Sequence, residues 1–231
     1  KTAEKKTKVL FIQSLGTQNM RKWQISGFDE TEIGLAFKTV LECNKAGFTD
    51  RDLEEENIAF MQDAQGNKVA KLIDLETIVT NDKIGQILDR VGSPITVSPE
   101  MVSRKPFSAK EDVYALGNIL FRHLYKKCNQ GIPRYYNELI SNGNNNHDIT
   151  NYLMNKNVAY LKEIQDIHNN LKHNHKNNIT PSVPITINNK DIKILLNGLC
   201  KMLSANPDNR PTMEELEQDH TDFWDLVTDK T

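Results

Sequence analysis

Residues 49–60 read T-D-R-D-L-E-E-E-N-I-A-F, and after a gap of hairpin length residues 72–76 read L-I-D-L-E. These two segments constrain the chain more than any other feature. They supply one aspartate able to take a proton, Asp52, and an asparagine and a second aspartate, Asn57 and Asp74, whose oxygens can hold a cation. Taken singly, each has a plain structural explanation: Asp52 would cap a turn or helix, and Asn57 would shape a turn. Further on come G-S-P-I-T-V-S-P-E at 92–100, D-V-Y-A-L-G at 112–117 and N-P-D-N-R-P-T at 206–212. Any one of these pieces is weak evidence; their order and spacing together are specific.

Periodicity places the pieces on elements. Residues 8–14, K-V-L-F-I-Q-S, read as a buried strand, broken by Leu15-Gly16-Thr17 and followed by a short helix from Asn19 to Trp23. Ile33, Phe37, Val40 and Leu41 form one apolar face of a helix from Thr31 to Lys45, with Gly47 as its stop. Asn57 to Phe60 and Lys68 to Ile73 read as two strands about the turn Gln65-Gly66-Asn67. Residues 77–98 are polar and loop-like. Helices are expected from Glu111 to Lys126 and from Asp191 to Leu203, the second with Ile192, Leu195, Leu196, Leu199 and Met202 on one side. Thr212 and Glu215 have the spacing of a capping box opening a last helix. Asparagine-rich stretches at 142–146 and 169–178 flank a helix carrying Val158, Leu161, Ile164 and Leu171.

Composition narrows the function. At 231 residues one domain with a sizeable core is expected, and a formal net charge of −2 gives no global steering toward nucleic acid or membrane. Three cysteines without metal spacing fit a reducing compartment, and no apolar run reaches bilayer length. His168, His173 and His175 lack acidic or cysteine partners of metal-site spacing.

The ordered motifs resemble the C-terminal lobe of the eukaryotic-type protein kinase family, in a divergent form, from about the hinge strand to the last helix. The resemblance implies a fold that is mainly α with a small β-hairpin over residues 1–231, with asparagine-rich insertions near 142–146 and 169–178. No Gly-rich phosphate loop, no V-A-I-K-like strand and no partner-helix glutamate precedes residue 8. A small N-lobe absent from this chain is therefore expected as a partner segment or chain. The other implied partner is a protein substrate, without nucleic acid or a membrane span. Cytoplasmic localisation is expected, in a host cytosol if the chain is a secreted bacterial effector kinase; a protozoan kinase fits the composition as well.

By the same resemblance ATP and magnesium are the cofactors, Asp52 is the catalytic base, and Asn57 and Asp74 are the metal ligands. Backbone groups of Gln13 and Leu15 would bind adenine, with Ile12 behind the base and Ala59 under the ring. Arg51 is expected to pair with an activation-loop phosphate on Thr77, Thr80 or Ser93, or with an acidic neighbour. Ser93 stands where its hydroxyl could bond Asp52, which leans toward serine/threonine specificity. Glu100 and Arg210 are expected as a buried ion pair, and Asp112 as acceptor for the catalytic-loop backbone.

Three departures from the family pattern stand out. Asp50 replaces a histidine, Glu54 replaces the lysine that contacts the transferring phosphate, and Glu76 replaces a glycine. A glutamate at 54 repels phosphate unless it turns away or meets a cation. The run Glu54-Glu55-Glu56 is a solvated face or a preference for basic substrates. These departures keep a second function open, a pseudokinase scaffold that binds protein partners without catalysis. A third, a small-molecule phosphotransferase, is weakened by the S-P-E and D-V-Y-A-L-G segments.

Overall fold

The computed structural model of the protein describes residues 30–93, 96–129 and 189–229. In chain order the regular elements are α1 (Glu30–Lys45), β1 (Phe48–Thr49), β2 (Ile58–Gln62), β3 (Lys68–Leu72), β4 (Val79–Thr80), α2 (Pro99–Val102), α3 (Lys110–Asn129), α4 (Asn189–Met202), α5 (Met213–Gln218) and α6 (Thr221–Thr228). The expected strand at 8–14, the helix at Asn19–Trp23, and the asparagine-rich segments with the helix and histidines between them lie outside the described residues. So do the side chains of Leu124, Ile192 and Leu196.

Helix α1 forms where the apolar spacing places it. Ile33, Ala36, Phe37, Val40 and Leu41 are buried. Glu30 and Glu32 sit in the first turn and Lys45 in the last, each matching the helix dipole. Gly47, at φ +85°, turns the chain out. Phe37 meets the edges of Phe223 and Trp224 on α6, with ring centroids 6.2 Å apart in both pairs. Helix α4 approaches α6 closely because residue 198 is glycine: a Cβ there would lie 2.1 Å from the Phe223 ring. On α3, Val113, Tyr114, Leu116, Ile119 and Leu120 face the same core. The expected capping box is present: the Glu215 amide donates to Thr212 Oγ1 at 3.1 Å and the Thr212 amide to Glu215 Oε2 at 2.7 Å.

The hairpin does more than add two strands. β2 and β3 pair antiparallel from Ile58↔Leu72 to Gln62↔Lys68, closed by a turn in which Asp63 Oδ1 accepts the Gln65 and Asn67 amides at 2.9 and 2.8 Å. That register sets Asn57 and Ile73 opposite each other, and the Ile73 amide donates to the Asn57 carbonyl at 2.9 Å. Asn57 enters the hairpin and Asp74 leaves it, so sixteen intervening residues still leave both at the same end of the hairpin. The strand boundaries differ from the sequence expectation only at the ends.

Residues 77–98 are not all loop. Val79 and Thr80 pair with Thr49 and Phe48 as a second two-stranded sheet. A strand of two residues is too short to show alternation, and its partner lies some thirty positions away. This pairing returns the chain to the stretch immediately before Asp50.

Arg210 is the largest fully buried side chain among the described residues. Its Nη1 donates to Glu100 Oε1 at 2.7 Å and to the Lys110 carbonyl at 2.8 Å, Nη2 bonds Glu100 Oε2, and Nε donates to the Ser204 carbonyl at 2.9 Å. Its guanidinium also lies 5.1 Å from the Tyr114 ring centroid. The implied Glu100–Arg210 pair is thus present, and it ties α2, α3 and the segment before α5 together. Arg210→Ala should cost about 3–5 kcal/mol in urea denaturation, since Glu100 stays buried and unpaired, while Glu100→Leu combined with Arg210→Met should cost far less. Equal losses in the two proteins would refute this account of the pair.

Candidate active site

The loop 50–57 is held from below by one carboxylate. Asp112, wholly buried in the first turn of α3, accepts the Asp50 amide on Oδ2 at 2.9 Å and the Arg51 amide on Oδ1 at 3.1 Å. Asn44 of α1 adds a donor at 3.4 Å. Burial pushes Asp112 up to about 6, and these donors oppose the rise. The expected role of Asp112 is therefore met by geometry.

Above that anchor the loop fixes Asp52. Its amide donates to Asp50 Oδ1 at 3.0 Å, and its carbonyl accepts Asn57 Nδ2 at 2.9 Å. Oδ1 of Asp52 accepts the Ser93 amide at 3.0 Å, which sets the plane of a half-buried carboxylate. Burial raises its pKa, and nearby Asp74 raises it further; the Ser93 amide and Asn57 oppose. Asp74 is exposed and left-handed at φ 58°, at the exit of β3. With Nδ2 of Asn57 turned inward, its amide oxygen is left for a cation. Asn57 and Asp74 offer only hard oxygens, beside a carboxylate whose charge Asp74 already opposes. The residues fit magnesium on these grounds.

The structure therefore brings Asp52, Asn57 and Asp74 together. Ala59 is half-buried on β2 opposite Lys71. Ile12, Gln13 and Leu15 lie outside the described residues.

Five neighbouring side chains take partners that the sequence left open or did not name. The Ser93 hydroxyl bonds Glu54, while its backbone amide serves Asp52. The reason is Gly92, at φ +85°, where a Cβ would lie 2.7 Å from the Arg51 carbonyl; glycine lets the chain settle on the loop amide-first. Glu54 turns to that hydroxyl and also feels Arg122, yet burial still raises its pKa. Asp50 is neither solvated nor fully satisfied: it is wholly buried, and Oδ2 has no hydrogen-bond partner. Burial, then Asp112, pushes it up to about 7. Arg51 takes the acidic-neighbour alternative, with Glu111, at 3.3 Å. Thr77, considered for its hydroxyl, instead donates to the Asp50 carbonyl at 2.9 Å. Sequence reasoning missed Gly92, Glu111 and Asn44; the only signals were a glycine before Ser93 and an acid before Asp112.

Comparison with known proteins places this geometry. The protein kinase domain model matches residues 2–221. The serine/threonine-protein kinase CST20 of Candida albicans is 31% identical over 114 residues, which is 47% of this chain and 9% of that protein. Calcium/calmodulin-dependent protein kinase type II of Caenorhabditis elegans is 28% identical over 115 residues, 48% of this chain and 15% of that protein. The aligned stretch thus spans a small fraction of these relatives' length.

Asp50 generates a pH prediction. Its folded pKa is raised from 3.8 to about 7, so the folded state binds the extra proton across that window. Its contribution to stability is full below the window and is lost as pH rises through it. Asp50→Asn removes that loss, so its melting temperature relative to wild type should climb with pH across the window. Parallel melting curves at every pH would contradict the assignment.

Proposed function

The chain belongs to the protein kinase family, and from that premise we propose that it transfers the γ-phosphate of ATP to serine or threonine hydroxyls of a protein substrate. The observation that carries the reading is Asp52, a half-buried carboxylate fixed by the Ser93 amide, with Asn57 and Asp74 beside it. The serine/threonine assignment draws support from the name of the Candida albicans relative.

Asp52 would orient the substrate hydroxyl and accept its proton; a raised pKa makes the carboxylate a better base. Asn57 and Asp74 would hold magnesium, which when bound offsets charge on the triphosphate. Residues Ile12, Gln13, Leu15 and Ala59 are the assigned adenine contacts, on the motif resemblance alone. Glu54 is the residue that favours the second reading, a pseudokinase scaffold, because a carboxyl stands where a cation is expected. Its bond to Ser93 and the nearby Arg122 temper its charge toward a phosphate, which favours the enzyme. No described helix is long and apolar enough to cross a membrane. We place the protein in a reducing cytosol, a reading supported by the free thiols of Cys43 and Cys200.

Asp52→Asn in the full-length protein should lower kcat by about 10²–10⁴-fold with ATP affinity nearly unchanged, the loss expected of a general base. Asp74→Asn should instead weaken ATP binding in magnesium and leave magnesium-free binding as it was. Titrating nucleotide with and without magnesium on both proteins checks this. Affinity that ignores magnesium in wild type would leave the scaffold ahead.

A further inference from the structure

Arg51 precedes Asp52 and has a left-handed backbone, φ 70°, which an arginine keeps only where its surroundings hold it there. Those surroundings come from three segments. Its amide is held by Asp112, and its Nε donates to Glu111 Oε2 at 3.3 Å, both residues from the start of α3. Its Nη2 donates to the Asp89 carbonyl at 2.7 Å. Its guanidinium lies 5.6 Å from the Phe107 ring centroid. Phe107 is itself laced to the same stretch as Asp89: the Gly85 amide donates to its carbonyl at 2.9 Å, and its amide donates to Gln86 at 2.8 Å.

The ion pair is internal. The Arg51 and Glu111 side chains are 5% and 2% exposed. A guanidinium so buried requires a counter-charge, and breaking such a pair is costly because the other charge remains. Burial raises the Glu111 carboxyl above its ordinary range, and Arg51 opposes the rise without cancelling it. The hydroxyls nearest the loop are already committed to protein partners: Thr77 to the Asp50 carbonyl, Thr80 to Asp82, and Ser93 to Glu54. Ser93, whose amide orients Asp52, follows Asp89 by four positions. Displacing Arg51 therefore disturbs Asp52 twice, through its own backbone and through Ser93.

We propose that Glu111 is a positioning residue for the transfer reaction, acting through Arg51 to hold the catalytic loop and the segment around Asp89 together without any added phosphate. The reaction named here rests on the kinase reading; the brace itself rests on the contacts alone. The anion that Arg51 requires is supplied by the helix beneath it.

The test uses the full-length protein after phosphatase treatment, as wild type, Glu111→Ala and Glu111→Asp, read by kinase kinetics and by amide hydrogen exchange of residues 84–93. Phosphatase should change neither the wild-type kcat nor the protection of 84–93. Glu111→Ala should lower kcat by about 10–100-fold with KM for ATP little changed, as misplacement of a catalytic group does, and should speed exchange in 84–93. Glu111→Asp, which keeps the carboxylate, should recover part of both. If Glu111→Ala does not unfold cooperatively, Glu111→Gln, neutral and of the same shape, replaces it. Activity or protection that vanishes with phosphatase and returns on rephosphorylation overturns the proposal, as does Glu111→Ala with wild-type kcat and exchange. Should no version transfer phosphate, the kinase reading fails, and the exchange comparison still decides the brace: protection lost in Glu111→Ala and regained in Glu111→Asp upholds it, equal exchange overturns it.

Discussion

The site depends on Asp112. A carboxylate with no exposed surface survives only if donors surround it, and the donors here are the amides of Asp50 and Arg51 and the Asn44 side chain. Each amide is in turn buried and would be orphaned without it, at about 1–3 kcal/mol apiece. The interaction therefore works in both directions: the loop solvates the acid, and the acid fixes the loop. Because Asp112 sits in the first turn of α3, whose next turns carry Leu116, Ile119 and Leu120 into the core, the loop inherits the rigidity of the packed helix. Asp52 then directly follows two fixed amides.

A second anchor, Arg210 with Glu100, holds the segment that follows the loop. The two anchors share a design: a buried ion with its charge-assisted bonds complete, each joining parts of the chain that local forces would not bring together. Such groups give little net stability compared with apolar replacements, and their value lies in specifying one arrangement. Between them runs the stretch from β4 to Ser93, which is fastened at β1, at Phe107, at Arg51 and at Asp52.

Carboxylates crowd this region. Asp50, Asp52 and Glu54 all have raised pKa values with burial as the first cause, and Asp74 adds to the rise at Asp50 and Asp52. Among the described residues, Arg51 pairs with Glu111 beneath this cluster and Arg122 pairs with Glu55 beside it. An arrangement so acidic favours a bound cation. It also shows why Asp50 can replace a histidine: a carboxyl that holds its proton is a neutral hydrogen-bonding group in the core.

Much of this was legible in the sequence because it is local. The period of Ile33, Phe37 and Val40, the Thr212–Glu215 cap and the Asp63–Asn67 turn each lie within a few residues, where side-chain spacing and backbone geometry decide the outcome. The motif order was enough to single out Asp112, Glu100 and Arg210, whose expected bonds are present, and Asp52, Asn57 and Asp74, which lie near one another. What the sequence could not settle was partner choice among groups far apart in the chain. Arg51 had an acidic neighbour or a phosphate as options, and only the packing of α3 under the loop brings Glu111 within 3.3 Å. Ser93 had a hydroxyl and an amide to offer Asp52, and the positive φ of Gly92 decided for the amide. Two residues of β4 carry no pattern, yet β1 pairs with them across the sheet. Spacing along the chain determined which groups the protein has for its chemistry; burial and long-range closure decided which of them touch, because an ion or an amide removed from water must take the partner that the folded core presents.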